Sequence, residues 1–120
     1  MAFLNPNHRG LAYGDGYLQG EGKLGQVVKI VGNDLFAVNT DPTAKSFGIL
    51  IKDYANGQMP GIFCMGGVYA TDIFEGNISP NDDLKVSANG KLTSGVGVGD
   101  EVVARAISLS SGTLKFRLLI

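Results

Sequence analysis

The C-terminal segment, residues 99–120, constrains the fold most, because its apolar and polar side chains alternate. Leu114, Phe116 and Leu118 fall on one side of a predicted strand, and the polar residues between them fall on the other. A period of two is typical of a β-strand with one buried face and one exposed face. An apolar stretch precedes this strand, and Ser110-Ser111-Gly112 between the two has the composition of a tight turn. We predict a closing β-hairpin with arms at 101–109 and 113–119.

Turn signals divide the rest of the chain into further short strands, and no stretch has the periodicity of an amphipathic helix. Gly32-Asn33 and Asn89-Gly90 are two-residue turn signals between strand patterns. Short helices at 43–46 or 81–84 stay open as alternatives. The predicted strands before the closing hairpin cover residues 26–31, 34–39, 47–52, 61–65, 68–74, 84–88 and 91–93. The sequence therefore predicts an all-β domain, a small β-barrel or sandwich of about eight short strands.

A double glycine, Gly66-Gly67, interrupts the apolar stretch from Phe63 to Tyr69. Glycines inside a strand pattern indicate a bulge, a sharp bend or the close approach of another backbone. We therefore predict two strand pieces here, with a special backbone conformation between them.

Residues 1–24 differ from the rest, because they are rich in glycine and show no strand or helix periodicity. They nevertheless carry apolar side chains, whereas a flexible tail is normally polar. We predict an extended N-terminal arm at 1–24, followed by the β domain at 25–120. An irregular segment of this length is long for packing on its own domain, so we expect it to lie on a neighbouring subunit rather than on its own sheet.

The charge balance argues against a nucleic-acid or membrane-surface partner. Ten Lys and Arg against eleven Asp and Glu give a formal net charge of −1, and no basic excess is present. Charged residues make up only 18% of the chain, and 18 residues are glycine. This composition fits a surface covered by other subunits or, equally, a glycine-rich β domain with many turns. No signal peptide or long apolar run is visible, so we expect the protein to reach its site of action without the secretory route.

Residues that could support catalysis are few. The single histidine, His8, lies beside Arg9 in the predicted arm, which is a poor scaffold for a nucleophile–histidine pair. The single cysteine, Cys64, lies in an apolar run and is expected to be a buried thiol. The glycine pattern from Gly20 to Gly25 lacks the preceding strand and following helix of a dinucleotide site. We therefore expect no enzyme activity and no cofactor.

A metal site is a minor alternative. Oxygen ligands for calcium could come from Asp72 with Glu75, or from the polar residues between 77 and 83, but the spacing of an EF-hand is missing. We predict no bound metal. Arg105 stands between two alanines in an otherwise apolar strand, and it would need a carboxylate partner or a subunit joint if it pointed inward.

Several segments together give the chain a family resemblance. A glycine-rich arm leads into Gly-Gln-Val-Val at 25–28, and the chain ends in a Gly-Asp-Glu-Val-Val strand and a last hairpin. Between them lie three further segments, Ala-Lys-Ser-Phe-Gly-Ile-Leu at 44–50, Met-Pro-Gly-Ile-Phe at 59–63 and Gly-Gly-Val-Tyr-Ala-Thr-Asp at 66–72. This layout, over most of the chain, resembles the capsid decoration (cement) proteins of tailed bacteriophages, which have a β-tulip domain with an N-terminal arm.

The resemblance implies a structural role without catalysis. Such proteins bind the outer surface of the expanded phage head and stabilise the joints between major capsid subunits. The expected partners are the major capsid protein and further copies of the chain, as a homotrimer on the capsid, with no nucleic acid and no membrane. The expected location is the virion surface, after assembly in the host cytoplasm.

For such a role, the apolar residues of the arm and the glycine-broken stretch are the candidate contacts with the capsid or a neighbouring subunit. The candidates are Phe3, Leu4, His8, Arg9, Leu11, Tyr13, Tyr17, Phe63, Met65, Val68, Tyr69 and Arg105. Two other functions stay open: another virion or tail component, and a β-barrel that binds an oligonucleotide or a saccharide.

Overall fold

The computed structural model describes residues 2–120, and in this part of the chain all regular structure is β. No segment of residues 2–120 forms a helix, so none forms a helix that could cross a membrane. The two stretches left open as short helices are turns and the start of a strand. The strands are β1 (Leu4–Tyr13), β2 (Tyr17–Leu18), β3 (Val27–Gly32), β4 (Leu35–Val38), β5 (Gly48–Leu50), β6 (Ile62–Thr71), β7 (Phe74–Glu75), β8 (Asp83–Val86), β9 (Leu92–Thr93), β10 (Ala104–Ser110) and β11 (Thr113–Leu118).

The all-β prediction is confirmed, but the sheet is open rather than closed into a barrel. Its strands follow the order β2-β4-β3-β5-β6-β11-β10-β8-β9-β7, and β1 pairs with β6 outside this path. Residues 2–120 form eleven strands instead of about eight, because β1 and the two-residue β2 both form within the predicted arm. The open sheet still gives a compact molecule, with a radius of gyration of 13.0 Å.

The predicted closing hairpin forms from β10 and β11, but β10 begins at Ala104 and ends at Ser110, whereas the prediction placed this arm at 101–109. Ser111 and Gly112 at its tip have φ angles of 51° and 75°, as a two-residue type I′ turn requires. Leu114, Phe116 and Leu118 are all buried, which confirms the alternation in β11.

The β3–β4 hairpin also forms, but its turn lies one residue later than Gly32-Asn33. Gly32 pairs with Leu35, so that Asn33 and Asp34 form the loop, and Asp34 has a φ angle of 53°. The register between the two strands shifts between Ile30 and Gly32. This bulge takes up one residue of β3 and moves the turn along the chain.

The side chains of the sheet form two apolar cores. The larger core contains Tyr69, Phe116 and most of the buried residues of β8, β10 and β11. The smaller core joins Leu18, Val28, Phe36, Leu50 and Ile62. Strand β5 contributes Ile49 to the first core and Leu50 to the second, which agrees with the prediction of a central strand at 47–52.

The segment predicted as an irregular arm contains a ten-residue strand, β1, which pairs antiparallel with β6 of the same chain. This differs from the expectation of an irregular segment lying on a neighbour. The pairing shifts register between Pro6 and His8 and again between Arg9 and Leu11. Each shift interrupts the alternation of side chains, so the sequence of this segment shows no period of two.

Candidate interaction surface

Strand β6 is kinked at the double glycine. It runs through the break as one strand, not two, but Met65, Gly66 and Gly67 have φ angles of 60°, 80° and 102°. A Cβ atom on Gly67 would lie 2.5 Å from the backbone nitrogen of Gly10. A Cβ atom on Gly10 would lie 2.5 Å from the carbonyl oxygen of Met65. The glycines therefore allow β1 to approach the kink closely, one of the predicted roles of this motif.

Hydrogen bonds hold both ends of β1 to the sheet. At its start, the backbone N–H of Phe3 donates to Asp72 Oδ1 over 2.9 Å, and the Thr71 hydroxyl donates to the carbonyl oxygen of Phe3 over 2.7 Å. At its end, the Tyr13 hydroxyl donates to Asp34 Oδ1 over 2.6 Å. Strand β1 is thus fixed to β6 at one end and to the β3–β4 turn at the other.

The middle of β1 is tied to the kink through Tyr69. The N–H of Gly10 donates to the Tyr69 hydroxyl over 3.3 Å, and this hydroxyl donates to the carbonyl oxygen of Gly66 over 3.0 Å. Burial raises the pKa of Tyr69. A protonated hydroxyl can both donate and accept, as this bridge requires.

The contact with Asp34 also changes the pKa of Tyr13. The hydrogen bond to Asp34 and, as a smaller cause, desolvation raise this pKa from its ordinary value of 10.0 to about 12. The Tyr13 ring packs edge-on against Phe36 and Phe47, with centroid distances of 5.8 and 5.5 Å. The end of β1 is therefore held by a polar contact and by an aromatic cluster.

Most side chains of β1 remain exposed. None of its ten residues is buried, and His8 and Arg9 are both exposed. Leu11 keeps 59% of its surface exposed. Strand β1 pairs only with β6 among residues 2–120, so that its other edge is open there. An exposed strand with an open edge can make contacts along its whole length.

An apolar groove lies where the end of β1 meets the kink of β6. It has a volume of about 480 Å³, and its walls are almost entirely apolar. Lys45 and Glu101 provide charged groups in its lining. The lining includes Leu11, Ala12, Tyr13, Phe47, Cys64, Met65 and Ile120. We call this feature the β1 groove.

The candidate residues divide into surface and core. Leu11, Tyr17 and Met65 are strongly exposed, and Phe3, Leu4, Tyr13 and Val68 are half-buried. Phe63 and Tyr69 are only 4% and 1% exposed, and their rings pack together in the larger core with a centroid distance of 4.7 Å. The structure therefore places these two candidate contact residues in the core and not on the surface. An apolar run in the sequence does not show which of its side chains the sheet will cover.

Arg105 points outward, and its Nε donates to Asp83 Oδ1 over 3.2 Å. The strand alternation accounts for this direction, because Ala104 and Ala106 on either side are buried. Arg105 therefore does not need a buried carboxylate partner, and the carboxylate that it does bind, Asp83, lies at the surface.

The residues considered for catalysis and metal binding are not assembled in one place. Within residues 2–120, no three His, Cys, Asp or Glu side chains lie close enough to hold a metal ion. Glu75 instead accepts hydrogen bonds from Ser87 and Asn89, which lower its pKa. Cys64 is buried, and burial raises its pKa, so that the thiol stays protonated at neutral pH.

Several residues of the β1 groove were not among the candidates from sequence. Phe47 was assigned to a central strand, and Lys45 and Glu101 to a loop and a strand start. Ile120 follows the last strand, and its position beside the kink depends on the N–H of Gly66, which donates to its carbonyl oxygen over 3.2 Å. Only tertiary pairing brings these residues together, so no local pattern could have identified the groove.

No protein-family model matches this sequence, and comparison with curated proteins finds no significant relative.

Proposed function

We propose that this chain is a capsid decoration (cement) protein, which binds the outer surface of an expanded phage head and stabilises the joints between major capsid subunits. The observation that carries the proposal is β1, a ten-residue strand without a single buried side chain and with an open outer edge. Such a strand can lie along a second protein surface while the rest of the sheet supplies a stable domain. The open sheet with β1 as its arm is then a β-tulip domain of this family.

The composition supports the same role. A formal net charge of −1 leaves little repulsion between closely spaced copies on a shell. Exposed apolar side chains lie just before and just after Tyr13, the last residue of β1: Leu11 is 59% exposed and Tyr17 is 58% exposed. Apolar side chains of this size are suited to anchoring a contact between proteins.

The physical effect of a decoration protein follows from linkage. A protein that binds the expanded shell and not its precursor stabilises the expanded shell by mass action. Repetition over many sites adds up modest individual affinities. No chemical step is needed for this function, so the side chains have only to present a complementary surface.

Co-sedimentation with expanded and unexpanded heads from the same source tests the proposal. We expect saturable binding to expanded heads, at a fixed number of copies for each capsid subunit, and much weaker binding to unexpanded heads. Deleting β1 would uncover the edge of β6, so a point variant is preferable. We expect Arg9→Glu to weaken binding about tenfold, which corresponds to about 1.4 kcal/mol.

The matched control is Lys52→Glu, which makes the same change in charge at an exposed residue outside β1. If both variants bind like the wild type, the function stands and the contact lies outside β1. If the wild type does not bind expanded heads at micromolar concentration, the proposal is wrong. A tail component or a ligand-binding domain would then be the function to test.

A further inference from the structure

The outer face of the closing hairpin carries three cations. Arg105 of β10 is paired directly opposite Arg117 of β11, and Lys115 lies two residues before Arg117 in the same strand. Phe116, between the two cations of β11, is fully buried, so the side chains on either side of it point to the outer face. Arg105 points outward as well. We call Arg105, Lys115 and Arg117 the basic face.

The basic face belongs to a part of the sheet that contains no acidic residue. Strands β1, β6, β11 and β10 lie side by side in this order. Together they hold four of the ten Lys and Arg of the chain and none of its eleven Asp and Glu. Within residues 2–120, the only salt bridge of the basic face is that of Arg105 with Asp83 of β8. A chain with a net charge of −1 therefore concentrates positive charge on this face.

The sheet itself does not benefit from these charges. Like charges directly opposite each other on paired strands are destabilising, because their Cβ atoms are only about 4.5–5.5 Å apart. Charged side chains often keep an edge strand from pairing, but β11 lies between β6 and β10 and is no edge. Neutral polar residues would keep the face in solvent without the repulsion between Arg105 and Arg117. Residues that work against the local structure are typical of functional sites.

The geometry of the basic face suits carboxylates. A guanidinium group presents several N–H donors in a planar fork that fits a carboxylate. Arg105 uses its Nε for Asp83, so its two terminal nitrogen atoms can bind a second carboxylate. Lys115 and Arg117 form no salt bridge in the described chain, residues 2–120. They are two residues apart in one strand, which separates them by about 7 Å, the spacing of alternate side chains in an extended peptide.

A protein partner fits this face better than a nucleic acid does. Surfaces that bind single strands add aromatic side chains for stacking on the bases, but Phe116 and Tyr69 in these strands are buried. Binding of a duplex depends on a larger excess of basic residues than a chain of net charge −1 provides. Opposite Arg117 and Lys115, β6 presents the half-buried Val68 and Ala70, a small apolar surface beside the cations.

We propose that the basic face binds an acidic segment of a protein partner, whose carboxylates are received by Arg117, Lys115 and the terminal nitrogen atoms of Arg105. The inference goes beyond the proposed function, because none of these residues belongs to β1 and the site needs no shell. Only β6 separates β11 from β1, so that one partner can contact the basic face and β1 together.

NMR titration of the full chain with a hexaglutamate peptide is the test. We expect saturable shifts of backbone amides in β10, β11 and the neighbouring part of β6. Raising NaCl from 0.1 to 1 M should weaken the binding at least about fivefold, because salt screens exposed charges. We expect Arg117→Gln to weaken it about fivefold and to keep the fold, because this side chain is exposed. The matched control is Lys52→Gln, the same loss of charge at an exposed residue outside the four strands.

Three results would overturn the inference. The first is the absence of shifts at residues 105, 115 and 117 with millimolar peptide, and the second is equal affinity of Arg117→Gln and the wild type. The third is tighter binding of a thymidine hexanucleotide than of hexaglutamate at the same salt concentration. Co-sedimentation with expanded heads is measured separately. Peptide binding without head binding keeps this site and refutes the proposed function, and head binding without peptide binding does the reverse.

Discussion

Strands β1 and β11 both lie antiparallel against β6, but different forces hold them. In β11, Leu114, Phe116 and Leu118 are each at most 1% exposed, and its pairing with β6 runs without a register shift. In β1, no side chain is buried and the register shifts twice. Strand β11 is held by full burial of apolar side chains, and β1 by its backbone, a few polar contacts and the partly buried side chains at its two ends, Leu4 and Tyr13.

This difference implies unequal stability. Full burial of a Leu or Phe side chain contributes about 1.5–3 kcal/mol, whereas a hydrogen bond contributes about 0.5–1.5 kcal/mol net. Strand β1 should therefore open at a lower free energy than β11, without unfolding the rest of the sheet. Of β1 and β11, β1 is therefore the strand that we expect to leave the sheet and make contacts elsewhere.

The largest effect is expected in β11. Phe116 is fully buried, and its ring stacks on Tyr69 with a centroid distance of 5.6 Å. We expect Phe116→Ala to lower the free energy of unfolding by about 3–5 kcal/mol, because it removes buried surface and leaves a cavity. Urea unfolding measures this loss, and Leu11→Ala in β1 is the comparison, with an expected loss below about 0.5 kcal/mol. Similar losses in both variants would contradict the proposed difference between the strands.

The next effect concerns the close approach of β1 to the kink. Gly10 has no positive φ angle, but a Cβ atom there would overlap the backbone of residues 65 and 66. Gly66 has a φ angle of 80°, but a Cβ atom there would meet nothing within 4 Å. We expect Gly10→Ala to cost about 2–3 kcal/mol, because β1 must move away from β6.

Gly66→Ala is the matched control, with an expected cost of about 1 kcal/mol from the backbone conformation alone. Urea unfolding gives both values, and hydrogen exchange shows where protection is lost. We expect Gly10→Ala to expose the amides of β1 and leave those of β11 protected. Equal costs for the two variants would mean that the approach of β1 is not tight.

A smaller effect is expected at the end of β1, where Tyr13 binds Asp34. The folded-state pKa of Tyr13, about 12, lies above its ordinary value of 10.0. The stabilisation from this contact is therefore complete below pH 10 and is lost as the pH rises from 10 to about 12. We expect Tyr13→Phe to lower stability below pH 10 and to reduce the alkaline loss seen in the wild type.

Hydrogen exchange of the β1 amides, followed from pH 8 to 9.5 and corrected for intrinsic rates, shows whether this contact holds the strand. Tyr17→Phe is the control, because the Tyr17 hydroxyl forms no hydrogen bond within residues 2–120 and its ring is 58% exposed. We expect faster exchange in Tyr13→Phe and no change in Tyr17→Phe. Equal rates in both would show that the aromatic cluster alone fixes the end of β1.

The same contrast explains what the sequence could predict. In β11, apolar and polar side chains alternate along the whole strand, so this alternation is enough to identify the closing hairpin and its buried face. Strand β1 has two register shifts and no buried side chain, so its pattern resembles that of an irregular arm. The glycines at 66 and 67 did signal a special backbone, because the conformation they allow is a local property.

The interaction surface was only partly predictable for a related reason. Leu11 and Met65 were identified as candidates because apolar residues stood out in glycine-rich stretches. Phe63 and Tyr69 stood out in the same way, yet the sheet buries them. The β1 groove combines residues from distant parts of the chain, such as Phe47 and Ile120, and its shape depends on how the strands pair. Sequence patterns give the faces of single strands, but pairing decides which faces are covered.

The smallest effect is expected at the surface of the closing hairpin. Arg105 and Asp83 form an ion pair whose side chains are 50% and 45% exposed. We expect Arg105→Ala to change the free energy of unfolding by less than about 0.5 kcal/mol, because solvent screens an exposed pair and two side chains lose freedom to form it.

Lys85→Ala is the comparison, since Lys85 and Asp100 pair over 3.1 Å with only 23% and 11% of their side chains exposed. Urea unfolding in 0.1 and 1 M NaCl should show the larger loss for Lys85→Ala. If Arg105→Ala costs as much as Phe116→Ala, burial is not what holds the hairpin against β6, and the contrast with β1 disappears.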